Sequence, residues 1–482
     1  MSRYTFNPKL DPNRNRNRRF IVTTIVVLSA LVLAVALVVF GASRLIPAWR
    51  GTAARPSASQ TGAPRPKVKI LVPQPTAQPT ILQPAAQPII PQASVDPRGK
   101  IAGIDDFSCP NPRVAPPANK FGYGIQSNWP VGDIGLFNSI MSEQLKVDWT
   151  KGQVRWNEYE KSETENDNVR WQFLDAFVGD ANKKGLNIML GIIDAPAWTR
   201  SINEPGLLGP PDDFKQGARF FQKVAARYKG CVQAIEVWNE MNLDREWRVP
   251  SGKIDAADYV RYLNTVTPAI REIDPNIVIV MGALSPTGAT GKTEDGKRDT
   301  VLDDYAYMDA FVTAGGPALV DCVGVHLNGF NMPPDKRWND GFTDPTAKYR
   351  GPFDNPNHSW SFLSTMEDYY AKTKKPLCVT EFGWASMENL KRKDGTPVQG
   401  APQGFDFALD NTEQEQADWI VKGFQIMKQS GYVRFGIVFN LDYIQKIGEE
   451  PDAPGANVAP YSITRRDGSP RPAFEAIKAM PR

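Results

Sequence analysis

Ile235-Glu236-Val237-Trp238-Asn239-Glu240-Met241-Asn242 is the stretch from which the rest of the chain can be read. It follows Gly230 as an apolar, alternating run, the pattern of a buried strand, and ends in Asn-Glu with no apolar continuation. A carboxylate at the end of a buried strand is poorly hydrated, and poor hydration raises its pKa. Glu240 is therefore expected to hold a proton near neutral pH, as a general acid must. A strand end that merely meets solvent would look the same, so the reading needs a second carboxylate in matching geometry.

Working outward, strand-like runs occupy 121–127, 152–156, 186–193, 232–239, 277–283, 319–326, 377–381 and 433–440. Amphipathic helices lie between them. Phe214, Ala218, Phe221, Ala225 and Tyr228 share one helical face, as do Tyr259, Leu263, Val266 and Ile270, with Pro268 as an expected kink. Thr412 and Glu415 form a capping box ahead of another helix. Gly185, Gly230 and Gly431 each close a helix just before a strand. Eight strands, each followed by a helix, predict an α/β fold of the (β/α)8 TIM-barrel type. A doubly wound sheet is the alternative, but no Gly-rich phosphate fingerprint follows the first strand. The string Gly288-Ala-Thr-Gly-Lys-Thr293 imitates a phosphate loop, yet Pro286 stands where its first glycine belongs, and it reads as a surface loop.

In such a barrel, function gathers where the strands end at their C-termini. Those ends carry Gln126, Arg155 and Trp156, Asp194, Asn239 and Glu240, Ser285, His326, Glu381, and Asn440. Glu240 closes the fourth strand and Glu381 the seventh. Two carboxylates converging on one mouth suit glycosidic hydrolysis, one as acid and one as nucleophile or base. Glu236 shares the strand's parity with Glu240 and is expected to support the barrel through a basic partner such as an arginine. Trp198, Trp247 and Trp384 follow strand ends, and the long segment after His326 holds Phe330, Trp338, Phe342, Tyr349 and Phe353. Aromatic faces stack on the C–H faces of sugars, although any one of them also fits packing beneath a loop.

Glu236-Val-Trp-Asn-Glu240 and Thr380-Glu-Phe-Gly-Trp384 resemble the retaining glycoside hydrolases of the (β/α)8 clan that includes families 5 and 39, and the first string looks closest to family 39. The resemblance covers the barrel, roughly residues 120–482, within a domain read over 118–482. It implies that Glu240 is the acid/base and Glu381 the nucleophile. It further implies that Asn239 binds the sugar 2-hydroxyl, that Arg155 holds Glu381 ionised, and that His326 belongs to the site. Asp194, Trp198, Trp384, Asn328 and Asn440 complete the expected substrate-binding set. Two positions depart from the clan. His326-Leu-Asn328 lacks the aromatic common two residues after the histidine, and Phe439-Asn440 stands where a Trp platform is usual. A non-catalytic carbohydrate-binding barrel and a metal-dependent lyase are the competing readings.

Composition bounds the rest. A net charge of +3 with interspersed acids gives no sign of nucleic-acid binding. Only 2 histidines, His326 and His358, exclude a multi-histidine metal centre, so no metal or other cofactor is expected. Residues 1–19 are basic and expected to be cytoplasmic. Residues 20–40 are uncharged and long enough to span a bilayer, which takes about 20 residues. That run exceeds the apolar core of a signal peptide, so an uncleaved anchor with an extracytoplasmic domain is expected, a cleaved and secreted form being the rival. Residues 41–117, rich in Pro, Gln, Ala, Ser and Thr, read as a disordered spacer. Cys231, Cys322 and Cys378 sit in apolar runs and read as buried free thiols; with Cys109, no pairing can be assigned.

Overall fold

In the computed structural model, residues 100–482 are described. Eight parallel strands run through them: β1 (Gly122–Gln126), β2 (Trp149–Arg155), β3 (Asn187–Ile193), β4 (Ala234–Val237), β5 (Val278–Met281), β6 (Val323–Gly329), β7 (Leu377–Trp384) and β8 (Val433–Val438). They pair in the order β5-β4-β3-β2-β1-β8-β7-β6. Bridges Val280–Cys322 and Leu284–Val325 join β5 to β6 and close the ring. A closed ring leaves no unpaired edge. Helices follow the strands in turn: α1 (Ile134–Ser139), α2 (Asn168–Lys183), α3 (Phe214–Arg227), α4 (Ala256–Ile273), α5 (Asp304–Thr313), α6 (Phe362–Thr373), α7 (Glu413–Ser430) and α8 (Pro472–Ala479). The expected (β/α)8 barrel is the fold.

Local chemistry sets where each helix starts and stops. Asp167, Asp213, Asp255 and Asp303 cap α2 to α5 by accepting backbone N–H groups that the first turn leaves unpaired. Thr412 and Glu415 form the expected capping box on α7. Gly185, Gly230 and Gly431 take φ of 80°, 76° and 71°, the left-handed conformation that turns the chain back toward the next strand. Ala218, Phe221, Ala225 and Tyr228 are buried along α3, as are Tyr259, Leu263, Val266 and Ile270 along α4. Pro268 sits inside α4 without ending it.

At the N-terminal end of the barrel, Trp149, Met189, Ala234, Val278 and Phe435 fill the interior together with Cys322 and Cys378. Those two cysteines form a disulfide, and Cys109 forms another with Cys231. The expectation of free thiols is corrected: Cys322, just before β6, meets Cys378 on the neighbouring β7, where sequence distance says nothing about contact. The expected spacer is also corrected at its C-terminal part. Residues 100–117 lie against the barrel, with Ile101 buried and the Arg113 N–H donating to Gly230 O at 2.8 Å. The Asn111 N–H donates to Asn182 Oδ1 at 2.8 Å. Proline-rich composition could not reveal side-chain anchors on a distant partner. The basic tail 1–19, the span 20–40 and residues 41–99 lie outside the described residues. Among those described, no helix is long and apolar enough to cross a membrane.

Cross-linking Cys109 to Cys231 closes a loop of 122 residues and limits the unfolded chain. Replacing both by alanine is expected to cost about 2–5 kcal/mol. Thermal unfolding of the paired variant beside the parent checks this, and an unchanged midpoint would deny the bridge a stabilising role.

Candidate active site

The site is built in two layers on the strand ends. In the lower one Lys151, fully buried on β2, lies 3.1 Å from Glu236 Oε2 and 3.1 Å from Glu381 Oε1. Burial works against the ammonium, but the two carboxylates outweigh it and hold the Lys151 pKa above its ordinary value. Glu236 thus has the supporting role expected of it, with a lysine as its partner. Lys151 also takes the place foreseen for Arg155. The Arg155 guanidinium lies 3.7 Å from Asp194 and is half exposed. Both side chains share a strand face, but four residues of strand separate them by about 13 Å. Depth in the barrel, rather than residue type, selects the partner of Glu381.

In the upper layer one imidazole meets both catalytic candidates. His326 Nδ1 is 3.1 Å from Glu240 Oε1 and its Nε2 is 3.9 Å from Glu381 Oε1. Arg245 approaches the other Glu240 oxygen at 3.3 Å. Burial pushes the Glu240 carboxyl up, as the sequence suggests. The His326 hydrogen bond and charge, with Arg245 and Ser285, pull it down to about 2. The expected raised pKa is therefore corrected for the substrate-free site. Burial disfavours the imidazolium, but Glu381 and Glu240 together hold the His326 pKa above its ordinary value. The geometry thus favours an ionised Glu240 beside a charged imidazole, with Nδ1 and Oε1 3.1 Å apart.

Several polar atoms around this pair are buried with no hydrogen-bond partner in the protein: Gln126 Oε1, Asn239 Oδ1, His326 Nε2 and Asn328 Oδ1. Unpaired buried polar atoms are costly and few in folded proteins. Here they come from the ends of β1, β4 and β6, where a sugar's hydroxyls could pair with them. The backbone is also constrained nearby, since Asp194, Trp238 and Glu240 have φ of 63°, 75° and 46°. Such conformations cost non-glycine residues about 1–3 kcal/mol and gather at functional sites. The turn at Trp238 breaks the strand's alternation. It sends the Trp238 indole toward Trp247 and Tyr262, while its N–H donates to Glu246 O at 2.8 Å.

Two expected substrate contacts, Trp384 and Asn440, are corrected, and Trp247 packs beneath its loop. Trp384 is fully buried, stacks on Phe362 and donates its indole N–H to Met332 O. Trp247 is buried among Trp238, Tyr259 and Tyr262. Asn440 donates to Val458 O at 3.0 Å and accepts from the Tyr443 N–H at 3.0 Å, so its amide ties the β8 loop together. Each packs because the rest of its loop closes over it, which spacing along the chain does not show. Trp198 is half-buried and donates to Glu160 O at 3.3 Å. In the long loop, Phe330 packs on Trp360 and Phe407, while Trp338 stays 40% exposed.

Sequence reasoning missed the aromatic wall beside β8. Half-buried Phe439 lies 5.3 Å from the Tyr443 ring and 5.8 Å from the Tyr461 ring. The charge of Glu381 acts on both tyrosine hydroxyls, and Gln126 donates to that of Tyr443 at 2.6 Å. Phe439 thus has aromatic support at the position that lacks the Trp platform. Tyr461 is 22 residues beyond Phe439, too far for a motif to connect them.

Residues 147–431 match the family model Cellulase (glycosyl hydrolase family 5). The chain belongs to glycosyl hydrolase family 5. That segment contains Lys151, Glu236, Glu240, His326 and Glu381. The family 5 chain is also similar in fold to a family 39 glycoside hydrolase from Bacteroides cellulosilyticus WH2, at 16% identity and TM-score 0.49, with 75% of this chain and 64% of that one covered. A GH39 enzyme from Xanthomonas axonopodis pv. citri gives 14% identity and TM-score 0.49, covering 77% and 70%. Xylanase 10B from Thermotoga petrophila RKU-1 gives 13% identity and TM-score 0.46, covering 75% and 94%. The chain therefore spans less than two thirds of the Bacteroides cellulosilyticus protein. No curated protein sequence matches it.

The Glu240–His326 pair makes the stability of this family 5 barrel depend on pH. His326, raised above 6.5 by folding, stabilises fully below pH 6.5 and loses that contribution as pH rises through its folded value. Glu240, lowered from 4.5 to about 2, stabilises fully above pH 4.5 and loses its contribution as pH falls through about 2. The stability difference between the parent and His326→Gln should therefore peak between pH 4.5 and 6.5. Urea midpoints across the pH range measure it, and a difference independent of pH would remove the charged pair from the account.

Proposed function

We propose that the protein is a retaining O-glycoside hydrolase that cleaves β-type bonds in a polysaccharide or oligosaccharide by double displacement. The observation carrying this is the meeting of Glu240, from the end of β4, and Glu381, from β7, on the one His326 ring. Glu381, fixed by Lys151, attacks the anomeric carbon and forms a glycosyl ester as the bond to the leaving oxygen breaks. Glu240, once protonated in the substrate complex, donates that proton to the leaving oxygen. In the second half, Glu240 takes a proton from water, whose oxygen displaces Glu381 and restores the starting configuration. Asn239 and Asn328 supply open hydrogen-bonding positions for sugar hydroxyls, and Phe439 supplies an apolar face.

Incubation with 2-fluoroglycoside inactivators, followed by peptide mass spectrometry, tests this directly. A label on Glu381 is expected; binding of sugar with neither label nor turnover would favour the non-catalytic carbohydrate-binding reading. Two disulfides suit an oxidising compartment, which supports an exported domain tethered through residues 20–40. Protease treatment of intact cells checks that placement, because an exported domain is cleaved and a cytoplasmic one is spared.

A further inference from the structure

A general acid donates to the oxygen between two sugars, so the departing sugar must lie on the side of Glu240 away from Glu381. Glu240 Oε1 is engaged by His326 at 3.1 Å, which leaves Oε2 to face the scissile bond. The Arg245 guanidinium covers that oxygen at 3.3 Å. Beside this contact opens a cavity of about 520 Å³, walled by Leu207, Leu243, Arg245, Ser285 and Thr300 from the loops after β3, β4 and β5. Its size falls within the roughly 300–1,000 Å³ of small-molecule sites.

Arg245 is weakly held there. Its side chain is 58% exposed, and its ion contacts are long, at 3.3 Å to Glu240 and 3.7 Å to Glu246. Arg298, on another wall, is bound at 3.2 Å by Asp244 and 3.1 Å by Glu204. Burial, then the charge of Glu240, pushes the Glu246 carboxyl up to about 7, so Glu246 offers Arg245 only part of a charge at neutral pH. A guanidinium fork with uncommitted donors beside a cavity matches the two oxygens of a carboxylate.

The geometry points to this cavity as the leaving-group subsite, with Arg245 binding the carboxylate of a uronate sugar; the assignment rests on the glycosidase reading. Binding has a second consequence. A carboxylate that draws the guanidinium away uncovers Oε2 and removes one of the cations that keep Glu240 ionised. An acidic leaving group would thereby help to ready the acid that releases it.

Titration of the full-length protein with methyl α-D-glucuronoside and methyl α-D-glucoside, followed by NMR, tests the subsite without requiring turnover. The glucuronoside is expected to bind about tenfold more tightly, the size of a hydrogen bond to a charged group. Arg245→Gln should abolish the preference while keeping glucoside binding, and Arg245→Lys should restore part of it. Equal affinities in the parent, or a preference surviving in Arg245→Gln, would overturn the assignment. Aryl-glycoside turnover is measured alongside. Turnover without the preference refutes the subsite alone, whereas the preference without turnover or inactivator labelling refutes the glycosidase reading and, with it, the leaving-group assignment.

Discussion

Glu240→Ala is expected to lower kcat by about 10²–10⁴-fold on a glycoside whose leaving group needs a proton, the usual contribution of general acid catalysis. On a 2,4-dinitrophenyl glycoside, whose leaving group departs as a stable anion, the first step should be nearly unaffected. The glycosyl ester on Glu381 would then accumulate, because no base activates water. Azide, which needs no such base, should restore turnover and give a glycosyl azide with the configuration of the substrate. An inverted azide product would refute retention. Equal losses on both substrates, with no response to azide, would remove Glu240 from the acid/base role.

Lys151→Met is expected to destabilise the barrel by about 3–5 kcal/mol, the cost of breaking a buried ion pair and leaving its partner without compensation. Glu236 is fully buried on the same interior and would be that partner. Changing it too, in Lys151→Met/Glu236→Gln, should recover most of the lost stability by removing the stranded charge. Activity should not return with stability, because Glu381 would still lack the ammonium 3.1 Å away that fixes its position. Urea unfolding and aryl-glycoside kinetics on the same samples separate the two effects. Recovery of full activity in the double variant would show that Lys151 matters to the fold alone.

The alternation of buried runs with helical faces was legible because it records which side of each element meets the core. The same holds for the helix ends at Asp213, Thr412 and Gly431, where a few adjacent residues satisfy the local backbone. Glu240 and Glu381 could be singled out because each closes an apolar run of sequence, although β7 continues past Glu381 to Trp384. Their surroundings were less legible. Lys151 lies four positions before the arginine the strand end suggested, just ahead of the run read as a strand at 152–156, whereas β2 begins at Trp149. Trp384 and Asn440 stand at the right places along the chain, yet both are taken up by their own loops.

By itself, the sequence determined the barrel, its eight-strand order and the two glutamates at its mouth, since periodicity and strand position are properties of short stretches. Only the tertiary structure decided how those glutamates are charged and held. Lys151 beneath Glu381, His326 between the two carboxylates, Arg245 over Glu240 and the disulfide from Cys322 to Cys378 all join residues far apart in the chain. Such contacts arise when the ring closes, and electrostatic effects fall with distance in space rather than along the sequence. That is why a carboxylate expected to hold its proton is instead favoured as an anion by a histidine 86 residues away.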